Sequence, residues 1–527
     1  MRTVGRIFRV LIMLPIAFSS CTINKPDESQ TQKAYYTEQY RPQFHFSPDS
    51  MWMNDPNGMV YYEGEYHLFY QYHPHSTVWG PMHWGHAITT DLVHWEHLPI
   101  ALYPDSLGTI FSGSAVIDWN NSSGLGSGEN PPMVAIFTHH NHALEKTESN
   151  LFQYQSIAYS LDKGRSWTKY AGNPVIPNPG LRDFRDPKVS WYEAGQKWIM
   201  VLAAQDRIMF YSSPDLIQWT KESEFNADLG PDEGVWECPD FFPLPYGEET
   251  KWVLFVSIGD GGPNGGSGTK YYIGDFDGSE FTSDDPTGGT RWLDYGKDNY
   301  AGVTWSDVPS EDGRRIFLGW MSNWQYAGHV PSERWRSAMT LPRELKLGKD
   351  ERGYLLSSIP VHETEQLRTE HYKLEPGALK ERNNVGPAIE DEYPLYEIDL
   401  VFELNPEEEE EIEFGIILES EQHEKLLAAF NTRTQEVSIA RQESGRTDFS
   451  VHFPGIHTAP YQLSEAGEIR FHAFIDLSSV ELFVDNGAVV MTELCFPESG
   501  FESIHLYSSQ ESVLLKEGMI YSLKRVW

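Results

Sequence analysis

The sequence predicts an all-β protein, a five-bladed β-propeller followed by a C-terminal β-sandwich. Three observations carry that reading. From Tyr40 onward, short strand-like runs separated by turn clusters fill the chain, and long helical patterns are absent. A segment of the form Asp, short turn, Trp returns as Asp91–Trp95, Asp162–Trp167 and Asp215–Trp219, each soon after a strand-like run. After Leu345 tryptophan vanishes until Trp527, so the texture of the chain changes there.

Taken in order, the elements follow from local chemistry. Arg2, Arg6 and Arg9 precede an apolar run from Val10 to Phe18 and then Ser19-Ser20-Cys21. The apolar stretch is shorter than the ~20 residues of a membrane span, so it reads as an export signal. Small residues directly before Cys21 resemble a lipoprotein box, which makes Cys21 the expected lipid attachment point and residues 1–21 the signal. The product is then an exported protein anchored to a bacterial membrane, periplasmic or at the cell surface, with that anchor as its one membrane contact. Residues 22–38 are polar and read as a tether. Residues 39–345 hold the repeats, and radial repetition in units of ~40–50 residues plus insertions is the mark of a propeller. Gly58–Tyr62 and Glu65–Tyr70 around Glu63-Gly64 form one hairpin; Val134–Thr138, Lys197–Ala203 and Trp252–Ile258 are further strands. Residues 346–364 read as a linker and 365–527 as the sandwich. There Glu407–Glu411 marks an exposed loop, Ile412–Leu418 and Ile469–Ile475 alternate as strands do, and Asn486-Gly487 predicts a type I′ hairpin turn.

Composition narrows the partners. A chain of 527 residues calls for more than one core. Its formal charge of −37 repels phosphate backbones, so nucleic acid is not expected, and a neutral substrate is. Aromatics reach 13%, including 17 Trp; most belong in cores, but an indole face also stacks on a sugar ring. Beyond Cys21 only Cys238 and Cys495 remain, too few for a disulfide framework, although those two could pair.

Three carboxyl residues stand out by their settings. Asp55 lies in Trp52-Met-Asn-Asp-Pro-Asn-Gly58, Asp186 in Asp183-Phe-Arg-Asp-Pro187, and Glu237 in Val235-Trp-Glu-Cys-Pro239. Hydrolysis of a glycosidic bond with retention needs two carboxyl groups about 5–5.5 Å apart, one attacking carbon and one serving as acid and then base. Singly, each residue has a structural explanation, since Asx-Pro turns and Arg–Asp pairs are common. Together they are specific.

That conjunction resembles glycoside hydrolase family 32, the β-fructosidases. Tyr40–Phe46, Gly80–His86, Phe111–Ser114, Leu293–Asp298 and Gly319–Ala327 extend the match over nearly the whole chain, with wording closest to bacterial levanases and exo-inulinases. The resemblance implies a five-bladed propeller with a C-terminal sandwich. It implies Asp55 as nucleophile, Glu237 as acid/base and Asp186 as transition-state stabiliser. Trp52, Asn54, Gln71, Trp79, Phe111, Ser112, Arg185 and Trp324 become the residues that hold a terminal fructose. The substrate class is a fructan polysaccharide or fructo-oligosaccharide, expected to be cut at its chain end. The alternatives are endo-cleavage, transfer of fructose to a sugar acceptor, and a non-catalytic fructan-binding lipoprotein. No cofactor is implied. His83, His86, His139, His140 and His142 invite a zinc reading, but the first pair has no acidic partner motif, so a metal is not expected. Gly259–Gly268 has no Gly-Lys-Ser/Thr ending and reads as a flexible loop near the pocket. With Asn120–Pro132 and His139–Asn150, it would shape the channel mouth.

Overall fold

Strand burial sorts the chain into inner and outer elements. Met51–Tyr62, Thr109–Ile117, Phe184–Tyr192, Trp236–Tyr246 and Tyr300–Thr304 are buried along most of their length. An outer strand such as Thr220–Phe225 is largely exposed. The computed structural model, which describes residues 1, 36–127, 130–226, 234–284, 289–386, 393–404 and 410–527, explains the difference. From each of the five buried strands an antiparallel sheet, a blade, runs outward, and Met51-Trp52 of the first also pairs in parallel with Trp335-Arg336. Each packs beside the next, and the fifth packs beside the first, which closes a ring. The signal segment, Cys21 and the tether up to residue 35 lie outside the described residues.

The Asp-to-Trp repeat is the outer turn of blades I to III. In each, the Asp carboxylate accepts backbone N–H groups of the turn: Asp91 from Val93 and His94, Asp162 from Ser166, and Asp215 from Ile217 and Gln218. A hydroxyl two residues earlier (Thr89, Ser160, Ser213) donates to the same carboxylate. Blade IV repeats the device as Asp277, which accepts from Ser279 and Glu280 before Phe281. Phe in place of Trp hid that copy from the sequence reading.

Two boundaries move. Residues 346–364, expected as a linker, carry the outer part of blade V: Arg343–Asp350 pairs with Gly353–Pro360. The propeller therefore runs to Pro360, and the short helical turn His362–Leu367 connects it to the sandwich. The Asn486-Gly487 hairpin forms, but with a four-residue loop, Asp485–Ala488, between the paired Val484 and Val489. Gly487 is required there for contact as well as conformation, because φ is +76° and a Cβ would meet Ser358 O at 2.0 Å. Cys238 and Cys495 are both free and buried, so the two do not pair.

The sandwich stacks a seven-stranded sheet on a six-stranded one, over a core that includes Phe402, Phe414, Phe430 and Phe471. It is welded to the propeller by buried ion pairs. Arg343 of blade V donates to Asp294 at 2.9 Å and to Glu481 of the sandwich at 2.5 Å, with all three side chains essentially inaccessible. Arg441 of the sandwich reaches Asp298 at 2.5 Å and Glu493 at 2.8 Å. His45 sits between Asp476 and Glu481, 2.8 Å from each. Burial works against the Asp294 and Glu481 carboxylates, yet the Arg343 guanidinium holds both below their ordinary range.

Removing the cation from such a cluster leaves charges buried and unpaired. Arg343→Met should cost about 3–5 kcal/mol of stability in urea unfolding. A loss below about 1 kcal/mol would mean that apolar packing, not the ion-pair seam, joins the domains.

Candidate functional site

All five inner strands break register at the same level. Two residues of the inner strand face one of its neighbour: Asn54-Asp55, Phe111-Ser112, Asp186-Pro187, Cys238-Pro239 and Ala301-Gly302. A bulge of this kind leaves a residue unpaired and re-aims its side chain. Proline, which has no N–H to contribute to the ladder, is tolerated there. Asp186, Cys238 and Ala301 adopt positive φ at these points. The bulges bring Asp55, Asp186 and Ser112 to one level of the ring, with Glu237 directly before the fourth bulge.

The polar groups at this level form one network. Asp55 accepts from Ser112 Oγ at 2.6 Å and from Asn54 Nδ2 at 2.9 Å. Asp186 accepts from the Cys238 N–H at 3.0 Å, while its own N–H donates to Thr138 Oγ1 at 3.0 Å. The Cys238 thiol lies 3.5 Å from Asp55 Oδ2 and 3.6 Å from Asp186 Oδ2. Arg185 donates to Glu237 Oε1 and to Asp183 Oδ1, both at 2.7 Å. The Tyr300 hydroxyl donates to Glu237 Oε2.

This clustering shifts the titrations. Burial is the largest cause of a raised Asp55, and the Glu237 charge adds to it against the Ser112 and Asn54 hydrogen bonds. Asp186 is pushed up to about 7, chiefly by burial; Arg185 opposes this, and the charges of Glu237 and Asp55 reinforce it. Burial and the surrounding carboxylates push the Cys238 thiol and the Tyr300 phenol well above their ordinary values. A thiol held neutral among acids acts as a weak donor, not as a nucleophile.

Above the network lies a pocket of about 380 Å³ lined by Asn54, Asp55, Gln71, Trp79, Phe111, Ser112, Arg185, Asp186, Glu237 and Trp324, together with rim residues. Below it, the channel is closed. Lys188 of blade III reaches across to Thr304 O of blade V at 2.5 Å and lies 3.3 Å from the buried Asp240 of blade IV. Asp240 also accepts from Thr304 Oγ1 at 2.8 Å. These contacts give the pocket a closed base.

Of the expected site residues, Trp52 alone is absent from the pocket wall. It is 1% exposed, donates Nε1 to Asn54 Oδ1 at 2.7 Å, and stacks behind Trp324 at 6.0 Å. It orients the wall and is walled off from the cavity because Asn54 and Trp324 stand in front of it. Gly259–Gly268, expected to be flexible, is tied down. Asn264 donates to Tyr295 O and Thr458 O, and Ser267 Oγ accepts the N–H of Trp324. Of the stretch Asn120–Pro132, Asn120 and Ser122 line a different cavity, built from the far ends of the inner strands.

His139–Asn150 does supply the rim, through His140, His142 and Glu145, whose donor atoms lie within 4.8 Å of one another. Hydrogen bonding fixes the state of His140. Gln153 Oε1 accepts from the Phe184 N–H at 2.8 Å, so its amide nitrogen faces His140 Nδ1 at 3.2 Å. The ring proton therefore sits on Nε2 and is donated to Glu145 at 3.0 Å. Burial lowers His140 to about 4, so the ring is neutral. Its Nε2 presents a proton to Glu145 rather than a lone pair to a metal. Tyr300, Thr138 and Glu145 went unseen as site residues in the sequence, although His139–Asn150 was expected at the mouth; the Ala301-Gly302 step after Tyr300 was the one signal for the fifth bulge.

Comparison with known proteins gives a consistent result. The description "Glycosyl hydrolases family 32 N-terminal domain" matches residues 45–358, and "Glycosyl hydrolases family 32 C terminal" matches residues 363–522. A levanase of Bacillus subtilis is 48% identical over 537 residues, covering 99% of this chain and 75% of that protein. An extracellular exo-inulinase of Aspergillus ficuum is 37% identical, covering 89% of this chain and 91% of that protein. The crystal structure of an exo-inulinase from Aspergillus awamori matches with a TM-score of 0.84 at 35% identity, over 93% of this chain and 100% of the other.

The raised Asp186 makes stability depend on pH. An unfolded Asp releases its proton near pH 3.9, whereas folded Asp186 holds it to about 7. Its contribution to stability is therefore fully present below that window and is lost as pH rises through it. Urea melts across the window should show the parent losing stability relative to Asp186→Asn as pH rises. A constant difference would count against the shift.

Proposed function

The chain belongs to glycoside hydrolase family 32, and on that premise we propose that it removes terminal β-fructofuranosyl units from fructans with retention, releasing fructose. The observation that carries this reading is a pocket with a closed base, where Asp55, Asp186 and Glu237 gather and beneath which Lys188, Asp240 and Thr304 close the channel. A chain end can enter such a pocket down to the carboxyl groups at its base, whereas the middle of a polymer would have to lie across the mouth. Levan is the proposed polymer, on the similarity to levanases.

The roles follow from the contacts. Asp55, oriented by Ser112 and Asn54, attacks the anomeric carbon as a carboxylate. Glu237, at the pocket side of Arg185 and Tyr300, protonates the departing oxygen. Asp186, fixed by the Cys238 N–H, accepts hydrogen bonds from fructosyl hydroxyls, which tighten as the ring flattens toward an oxocarbenium ion. Forming the ester consumes the Asp55 charge and relieves repulsion among the carboxylates. Glu237 can then take a proton from the attacking water, and the cycle closes. Trp79 and Trp324 supply apolar walls, and Gln71 a polar contact.

A time course of soluble products from levan and inulin tests the reading. Fructose alone should appear from the first minutes, and Glu237→Gln should slow its release by about 10²–10⁴-fold. A ladder of oligosaccharides would overturn the chain-end mode, and no product from either polymer would overturn the activity.

Export with lipid attachment at Cys21 completes the proposal; it rests on the charged, apolar and small-residue pattern of residues 2–21. Labelled palmitate should enter the parent and not Cys21→Ser. Equal labelling of both would refute it.

A further inference from the structure

A second cavity, of about 410 Å³, opens at the opposite end of the propeller, beyond the closed floor. It shares no lining residue with the first. Three indoles line it, and each has its N–H tied to the protein. Trp119 donates to Asp307 Oδ1 at 2.8 Å, Trp191 to Glu193 Oε2 at 2.7 Å, and Trp198 to Ser122 Oγ at 2.9 Å. Trp191 and Trp198 meet edge to face at 5.1 Å, and Trp119 leans on Tyr62 at 5.7 Å. Trp198 is buried, at 4% exposure, and braces Trp191 from behind; with their N–H groups engaged, Trp119 and Trp191 have ring faces left to offer a ligand. Trp119 is 58% exposed, more than any other indole among the described residues.

Between these rings lie a donor and an acceptor. Arg315 lines the cavity and stacks over Phe242 at 5.0 Å. Among the described residues its guanidinium makes one hydrogen bond, to Trp305 O at 3.3 Å, so most of its N–H groups stay available. Asp307 accepts the Trp119 indole and the Ile117 N–H, which leaves lone pairs on both oxygens.

Three ligand chemistries can be weighed against these walls. An apolar ligand would strip water from Arg315 and Asp307 without replacing their hydrogen bonds. A simple anion would find Arg315, but would face Asp118, Glu193 and Asp307 and make no use of the indole faces. A sugar satisfies every group. Its C–H face covers an indole, and neighbouring hydroxyls accept from a guanidinium while donating to a carboxylate.

We propose that this cavity is a second saccharide-binding site, at the far pole of the propeller, that holds a stretch of neutral polysaccharide. That the polysaccharide is the fructan cut at the other pole rests on the proposed function; the site itself does not.

Trp119→Ala tests the site, because the side chain is exposed and its loss need not disturb the core. In a Glu237→Gln background, native gels containing levan, inulin or dextran should retain the parent in at least one polymer, and retention should weaken in Trp119→Ala and return in Trp119→Phe. In the active enzyme the same substitution should raise KM for the polymer about fivefold, the size of one lost aromatic contact, while kcat/KM for sucrose stays within about twofold. Unchanged retention and unchanged polymer KM would overturn the site. Should the active parent release no sugar from any fructan, the proposed function falls, while gel retention still decides the site: a loss specific to Trp119→Ala supports it, and no retention in any gel overturns it.

Discussion

Everything at the pocket depends on a two-against-one bulge repeated at one level of five inner strands. A regular strand alternates its side chains between the two faces of its blade, and in a propeller both faces are covered by neighbouring blades. A carboxylate placed there by alternation alone would be buried in apolar packing. The bulge turns one residue off that alternation and toward the ring axis. The backbone N–H groups near the bulges are also put to use: that of Cys238 holds Asp186, and that of Asp186 meets Thr138. Positive φ at Asp186, Cys238 and Ala301 costs of order 1–3 kcal/mol each, which the paired ladders on either side must offset.

Two acidic clusters in this chain show what separates a reactive site from a structural one. At the seam between the domains, Asp294 and Glu481 are as buried as any group in the pocket, yet Arg343 holds them low. In the pocket Arg185, the guanidinium beside the carboxylates, is bonded to Glu237 and Asp183 and stands 3.9 Å from Asp186. Asp55 and Asp186 are therefore left without a hydrogen bond from a cation, and burial raises both. Identical residue types reach opposite electrostatic states through the placement of a cation. That arrangement suits chemistry in which carboxylate charge is consumed and regenerated.

What could be read from the sequence followed how local the cause was. The Asp-to-Trp turns were legible because side chain, turn and following indole lie within a few residues, and the fourth copy was lost only through its Phe281. The carboxyl trio was legible because Pro follows each bulge residue or its neighbour at Asp55-Pro56, Asp186-Pro187 and Cys238-Pro239. Trp52 misled because a motif records that a residue is needed, not whether it faces the cavity or the wall behind it. The linker misled because the outer hairpin of blade V carries no Asp-to-Trp turn. Tyr300 and the tying down of Gly259–Gly268 depend on contacts between distant segments, which no local pattern encodes.

The closed floor has a further consequence for how a polymer is handled. Because Lys188, Asp240 and Thr304 seal the channel, a chain cannot thread through the ring. After each cut the released sugar must leave by the mouth through which the chain end entered, and that end must withdraw to let it pass. An enzyme with only this pocket would lose its polymer at every turnover unless something else retained it. Attachment elsewhere on the protein converts re-entry into an intramolecular event, with an effective concentration set by the length of chain between the two points of contact. The far pole suits that role because a flexible polymer can reach around the propeller, whereas a contact at the rim would compete with the departing sugar for the same space.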